Sequence, residues 1–254
     1  MTATDAIFDP RTTLARADLA EQGLEGIVRA DVHRAAQAMR CATPMADIVD
    51  ASGQTVDQLV FGEAFDALET LQDRAWGQAR RDGVVGWVDR AALSDGVVLP
   101  RSRVTALDAD LPPNALVADD AFSPVGEFET DPLAFAERWL GVPHRLGGRT
   151  PKGTDCCGLV QQALYACGRA GPRYADEQAE LGRAVSRADA RRGDLVVWLH
   201  PGQGPWNGHS AFLLDGDRVL HATGHHGAVA VEPLAEALAR YAADGFEAPV
   251  FRRL

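Results

Sequence analysis

Lysine is almost missing from this chain of 254 residues: Lys152 is the only one among 25 basic side chains, set against 36 acidic ones. The net charge is −11, the pI is about 5.0, and no basic cluster interrupts the excess of acid. Nucleic acid and anionic membrane surfaces are therefore poor partners, because both are held mainly by clustered cations. Long apolar runs are also lacking, and no stretch approaches the ~20 residues of a membrane span. The opening, MTATDAIFDPR, has neither the basic start nor the apolar run of a secretory signal. The expectation is a soluble, cytoplasmic protein.

Cysteine is scarce too. Cys41, Cys156, Cys157 and Cys167 are the four present. They do not read as a disulfide framework. On one helix Cys156 and Cys167 would stand roughly 16 Å apart, beyond bridging. No C-x2-C pair offers zinc spacing, so no metal site is expected. What remains is buried filler or chemistry.

Against these absences stand ordinary amounts of hydrophobic (46%) and charged (24%) residues, enough for a real core in one large domain or two small ones. Residues 1–40 are polar and Ala/Arg-rich with weak helical periodicity, an N-terminal extension. Residues 41–94 carry short β-like runs, ADIVD, QLVFGEAFDALETL and AWGQARRDGVVGWVDRAAL, spaced by turn residues as in a small barrel. Trp76 and Trp87 are read as its core. Residues 95–130, rich in proline and acidic turns, read as a linker. At Asp131 the pattern becomes helical, with Asp131 as N-cap and Pro132 at the first helical position. Thr154 or Asp155 caps a second helix that Gly168 ends. Strands follow at GDLVVWL, GHSAFLLD, RVLHAT and AVAVEP, then a short helix LAEALARY and a last strand PVFRRL. Helices before an antiparallel run of strands make residues 131–254 an α+β domain.

The stretch TDCCGLVQQALYACG puts Cys156 one step past the cap of that second helix. A thiolate there is favoured by the helix dipole and by free backbone N–H groups. A nucleophile also needs a base. If Asp215, Gly216 and Asp217 form a three-residue hairpin loop, Leu214 pairs with Arg218 and His209 lies opposite Thr223. His209 and His221 then share one face as diagonal neighbours. The arrangement is Cys156 as nucleophile, His209 as base and His221 as the residue that orients it. His200, His225 and His226 read as surface residues, His33 in the N-terminal arm suggests nothing, and Cys167 reads as core.

At these residues the chain resembles the NlpC/p60 cell-wall peptidases, papain-like cysteine hydrolases. PHRLGG, DCCGLVQ, GDLVVWL and HSAFLLDGDRVLHA carry the likeness, in order, over about half the chain. Cys156, His209 and His221 match the family's nucleophile, base and third polar residue. Residues 41–94, through LVFGEAF and GVVGWV, resemble a bacterial SH3-like domain that precedes this catalytic domain in peptidases acting on free muropeptides. The resemblance implies hydrolysis, without cofactor or metal, of the bond between γ-D-glutamate and a diamino acid in peptidoglycan stem peptides; the lack of a secretory signal suits a role in peptide recycling or turnover. The resemblance also implies a short substrate with a free N-terminus. Glu63 matches an acidic position near the amine pocket. Other specificity positions depart: His144 stands for a carbonyl-binding tyrosine, Cys157 for a serine, Tyr174 for an amine-binding aspartate, and Val84 for a tyrosine. Asp176, Asp155 and Ser210 complete the candidate substrate-binding set. Two other readings are the same fold acting on another amide, ester or acyl substrate, and a binding module built on an inactive enzyme.

Overall fold

The computed structural model describes residues 8–202 and 208–254. Residues 1–7, which include most of the opening read above for a signal, lie outside the described residues.

Alternation of apolar and polar residues builds the first sheet. Its strands are β1 Gln37–Cys41, β2 Met45–Val49, β3 Thr55–Val60, β4 Ala64–Leu71, β5 Arg74–Ala79, β6 Val85–Asp89 and β7 Leu93–Asp95. They follow the order β3-β2-β6-β5-β4-β1-β7, and every pairing is antiparallel. Ile48, Leu59, Phe65, Val84 and Val88 fill the interior. The first strand of this sheet starts at Gln37, inside what was read as the extension.

Despite the weak helical periodicity, the described residues before it form no α-helix, only a 3-10 turn at Gln22–Leu24. Leu19–Glu21 and Val32–Arg34 form a short parallel pair instead. Tertiary packing overrides weak helix propensity here. Leu14 and Leu19 cover Trp76 and Leu68 on the outside of the barrel, and the Arg16 guanidinium lies 4.1 Å above the Trp76 ring. Trp76 is thus buried beneath the N-terminal segment, in a cluster separate from the barrel interior. The stretch 95–130 is likewise more than a linker. It holds a three-stranded sheet of Ser102–Arg103, Leu116–Val117 and Ser123–Pro124, and Asn114 is fully buried against Gln162.

Among its described residues the second half has four α-helices: α1 Pro132–Glu137, α2 Cys156–Ala166, α3 Ala175–Gln178 and α4 Leu234–Ala243. Asp131 caps α1 by accepting from the N–H groups of Leu133 and Ala134. The strands are β8 Arg183–Val185, β9 Leu195–Leu199, β10 Gly208–Leu213, β11 Arg218–Thr223, β12 Ala228–Pro233 and β13 Val250–Arg253, in the order β8-β13-β9-β10-β11-β12. This sheet is antiparallel, and α1 and α2 pack on one face through Phe135, Trp139, Val160 and Phe212. On the other face α4 buries Leu234, Ala237 and Tyr241 against Trp198 and Val219. The hairpin β10–β11 takes the expected register, with Phe212 opposite Leu220, Leu213 opposite Val219, and the Leu214 N–H on the Arg218 carbonyl. No helix among the described residues is long and apolar enough to cross a membrane.

Charge, not apolar surface alone, joins the two halves. Asp57 of β3 is fully buried, with Oδ1 2.8 Å from Arg173 Nε and 3.2 Å from Arg149 Nε. Arg149 also pairs with Glu63, and Glu63 with Arg81 at 2.8 Å. Tyr174 inserts from the second half into the barrel core, 2% exposed. The loop before α2 lies so close to β3 that a Cβ on Gly147, at φ +74°, would fall 2.5 Å from the Thr55 carbonyl oxygen. Only glycine tolerates both that conformation and that approach.

Candidate active site

The N-terminus of α2 is fixed by a single carboxylate. Asp155 Oδ1 accepts from the Gly158 N–H at 2.7 Å, and Oδ2 from the Gly147 N–H at 2.8 Å. Arg173 grips both oxygens, at 3.0 and 2.6 Å. Gly158 is required because a Cβ there would sit 2.2 Å from the Gly148 carbonyl oxygen. Cys156 is the first helical residue and is partly exposed, while Cys157 is buried. As N1 and N2, both have N–H groups with no carbonyl one turn back to bond.

The thiol of Cys156 is held well below the usual thiol range. The neighbouring Cys157 side chain contributes most, at an Sγ–Sγ distance of 3.7 Å. Burial opposes this, and the charge and hydrogen bond of His209 and the Ser210 N–H then reinforce it. Cys157 moves the opposite way, raised by its hydrogen bond to Cys156 and by burial. Of the two thiols, Cys156 is the one that ionises first.

His209 on β10 and His221 on β11 meet edge to face, with Nε2 of His209 2.7 Å from Nδ1 of His221. That contact occupies Nε2 of His209 and leaves Nδ1 for the thiol. Tyr241 of α4 stacks on the His209 ring at 4.6 Å between centroids, and Trp198 packs against it at 5.8 Å. His221 is fully buried, which lowers its pKa to about 4.

One neighbour was not anticipated. Glu232, at the end of β12 and 3% exposed, places Oε1 2.9 Å from His221 Nε2. Arg240 holds both of its oxygens, and His226 Nε2 lies 3.0 Å from Oε2. Burial alone would raise the Glu232 pKa, but hydrogen bonds from His221, Arg240 and His226 hold it far below the carboxylate range. The signal was available in the second hairpin. His221 pairs with Ala230, so Glu232 is a diagonal neighbour on the same face.

Several expected substrate contacts are corrected. Glu63 is 1% exposed and clasped by Arg149 and Arg81, so it offers no open carboxylate to a substrate amine. Tyr174 is barrel core, with the Arg11 guanidinium 4.5 Å over its ring. Asp176 is paired with Arg11 at 2.5 Å, a role for the N-terminal segment that the sequence did not suggest. Asp155 is consumed by capping α2 and by Arg173. The Ser210 side chain is fully buried, its Oγ 3.8 Å from Cys157 Sγ. His226 is engaged with Glu232 rather than merely solvated. His144 remains partly exposed beside the site, with its N–H on the Gly227 carbonyl and its backbone bridged to Thr154. Among the described residues no cluster of His, Cys, Asp and Glu could hold a metal ion.

Both halves of the chain resemble known proteins. Residues 141–246 match the NlpC/P60 family, and residues 49–93 match the bacterial dipeptidyl-peptidase SH3 domain. The murein DD-endopeptidase MepS/murein LD-carboxypeptidase of Escherichia coli K12 is 38% identical over 92 residues, covering 36% of this chain and 47% of that protein. The peptidoglycan endopeptidase RipB of Mycobacterium tuberculosis is 34% identical over 112 residues, covering 39% and 44%. The chain thus spans about half the length of these relatives. The crystal structure of an NlpC/P60 family protein from Bacillus cereus superposes with a TM-score of 0.65 at 15% identity, covering 85% of this chain and 99% of that one. That likeness extends across both halves of the fold. The chain therefore carries an NlpC/P60 domain behind a bacterial SH3 domain.

Proposed function

We infer that this protein is a cysteine peptidase of peptidoglycan stem peptides, cleaving the bond between γ-D-glutamate and the following diamino acid. The observation that carries this reading is Cys156 at a helix N-terminus, hydrogen-bonded to His209, whose far nitrogen is held by His221. His209 takes the Cys156 proton, the thiolate adds to the scissile carbonyl, and the oxyanion that forms is met by the free N–H groups of the first turn of α2. His209 gives its proton to the leaving amine as the C–N bond breaks, leaving a thioester on Cys156. His209 then takes a proton from water, whose oxygen displaces the thiolate.

The dipeptidyl-peptidase type of the SH3 domain supports the γ-D-glutamyl bond. The name of the Escherichia coli relative favours a second reading, a D-alanyl cross-link, but the matched region covers only 36% of this chain. Four free thiols suit released peptides in a reducing compartment. Incubation with uncross-linked tripeptide and tetrapeptide stems, and with cross-linked dimers, separates the readings by product mass. The proposed bond releases an alanyl-glutamate dipeptide from free stems. Cleavage confined to cross-linked dimers would establish the second reading instead.

A further inference from the structure

The pair of imidazoles has two equivalent ways to hydrogen-bond. In one, His209 Nε2 donates to His221 Nδ1, and His209 Nδ1 is a lone pair facing the thiol. In the other, His221 Nδ1 donates, and His209 carries its proton on Nδ1, where it cannot accept one from Cys156. A distance of 2.7 Å between the rings fits both. Something outside the pair must break the tie.

We propose that Glu232 is the positioning residue that does so, selecting through His221 the one tautomer in which His209 can act as the base. The inference rests on the catalytic reading of Cys156 and His209 above. An ionised carboxylate only accepts hydrogen bonds. Oε1 lies 2.9 Å from His221 Nε2, a contact not aligned as a full hydrogen bond but too close for a lone pair to face the carboxylate, so that nitrogen carries the hydrogen. His221 is fully buried and neutral, so its Nδ1 is then a lone pair. His209 Nε2 must donate to it, and His209 Nδ1 is left free to take the thiol proton. When His209 becomes an imidazolium, the same orientation accepts its Nε2 proton.

Arg240 makes the selection one-way. Its two terminal nitrogens contact Oε1 and Oε2, so Glu232 stays ionised and cannot rotate away. The same helix, α4, supplies Tyr241, which stacks on His209 and holds its ring plane. β12 and α4 thus form a support behind the imidazoles.

Glu232→Gln and Glu232→Ala separate this role from a structural one. The oxygen at the Oε1 position faces two donors, His221 Nε2 and Arg240. The Oε2 position faces Arg240 and His226, which is 36% exposed and free to present a lone pair. The new amide therefore turns its NH2 toward His226 and keeps its oxygen on His221. Glu232→Gln should retain kcat within about threefold, whereas Glu232→Ala, which leaves the tautomer unselected, should lose about 10- to 100-fold in kcat with little change in KM. Two readouts need no substrate and so stand even if the proposed peptide is not the physiological one. Nitrogen-15 NMR of the histidine side chains should show His221 protonated at Nε2 in wild type and Glu232→Gln, and a mixture in Glu232→Ala. Iodoacetamide labelling of Cys156 at pH 6 should slow only in Glu232→Ala. A wild-type His221 protonated at Nδ1, or an equal loss of kcat in both variants, would overturn the proposal.

Discussion

The Sγ atoms of Cys156 and Cys157 lie 3.7 Å apart, and the two thiols are driven in opposite directions, Cys156 down and Cys157 up. Burial also raises Cys41 and Cys167, each to about 11. Alkylation mapped by peptide should therefore find Cys156 modified first, well below the ordinary thiol pKa of about 8.5. Cys157→Ser, which keeps a donor beside the sulfur, should retain turnover. Equal labelling of Cys156 and Cys41 at pH 6 would show that no thiol is activated.

The pair of histidines divides the work unequally. Cys156→Ala and His209→Ala should each abolish measurable turnover, since one removes the nucleophile and the other the base that faces it. His221→Asn should be partial, because a side-chain amide can still accept from His209 Nε2. Full activity in His209→Ala would exclude the assigned base.

Acid should weaken the fold through His221. Its pKa is about 4 in the folded protein, against an ordinary value near 6.5. The unfolded chain therefore takes up this proton first as pH falls. Stability from the neutral ring is complete above about pH 6.5, declines below it, and is lost by pH 4, a total of about 3 kcal/mol. Urea unfolding across that window should show the decline in wild type and a shallower one in His221→Asn. Parallel curves would mean that the ring is not buried neutral.

The charge chain across the interface makes a stability prediction. Asp57 faces two arginines that are themselves buried, and Arg173 passes the contact on to the cap of α2. Asp57→Ala should cost about 3–5 kcal/mol, as expected when one partner of a buried ion pair is removed. A drop below about 1 kcal/mol in denaturant melts would contradict a dry, paired interface.

Glu63 leads to a different expectation from the one its sequence position suggests. With Arg149 and Arg81 already on it, Glu63→Gln should destabilise the fold without discriminating between substrates. The ratio of kcat/KM for free and N-acetylated stem peptides should then match that of wild type. A large, selective loss on the free peptide in Glu63→Gln would restore it as an amine receptor.

Sequence legibility followed the locality of the physics. Asp131 and Asp155 announce their helices because a cap is decided within three residues. The three-residue loop at Asp215–Asp217 fixes the strand parity that brings His209 to His221. The N-terminal strands are invisible because Leu19–Glu21 is three residues long and is held by contacts with Trp76 and Leu68, far away in sequence. The specificity residues misled for a related reason. Whether Glu63 or Asp176 is open depends on Arg149, Arg81 and Arg11, which no local pattern places beside them. Glu232 could have been found by carrying the parity argument one hairpin further.

The central claim is that the sulfur of Cys156 carries the acyl group of a stem peptide. Acid quenching of the wild-type enzyme with an alanyl-γ-D-glutamyl-diamino acid tripeptide, followed by peptide mapping by mass, reads that bond directly. The account predicts an alanyl-glutamyl thioester on Cys156, absent in Cys156→Ala. An adduct on Cys157, or undiminished cleavage by Cys156→Ala, would contradict it.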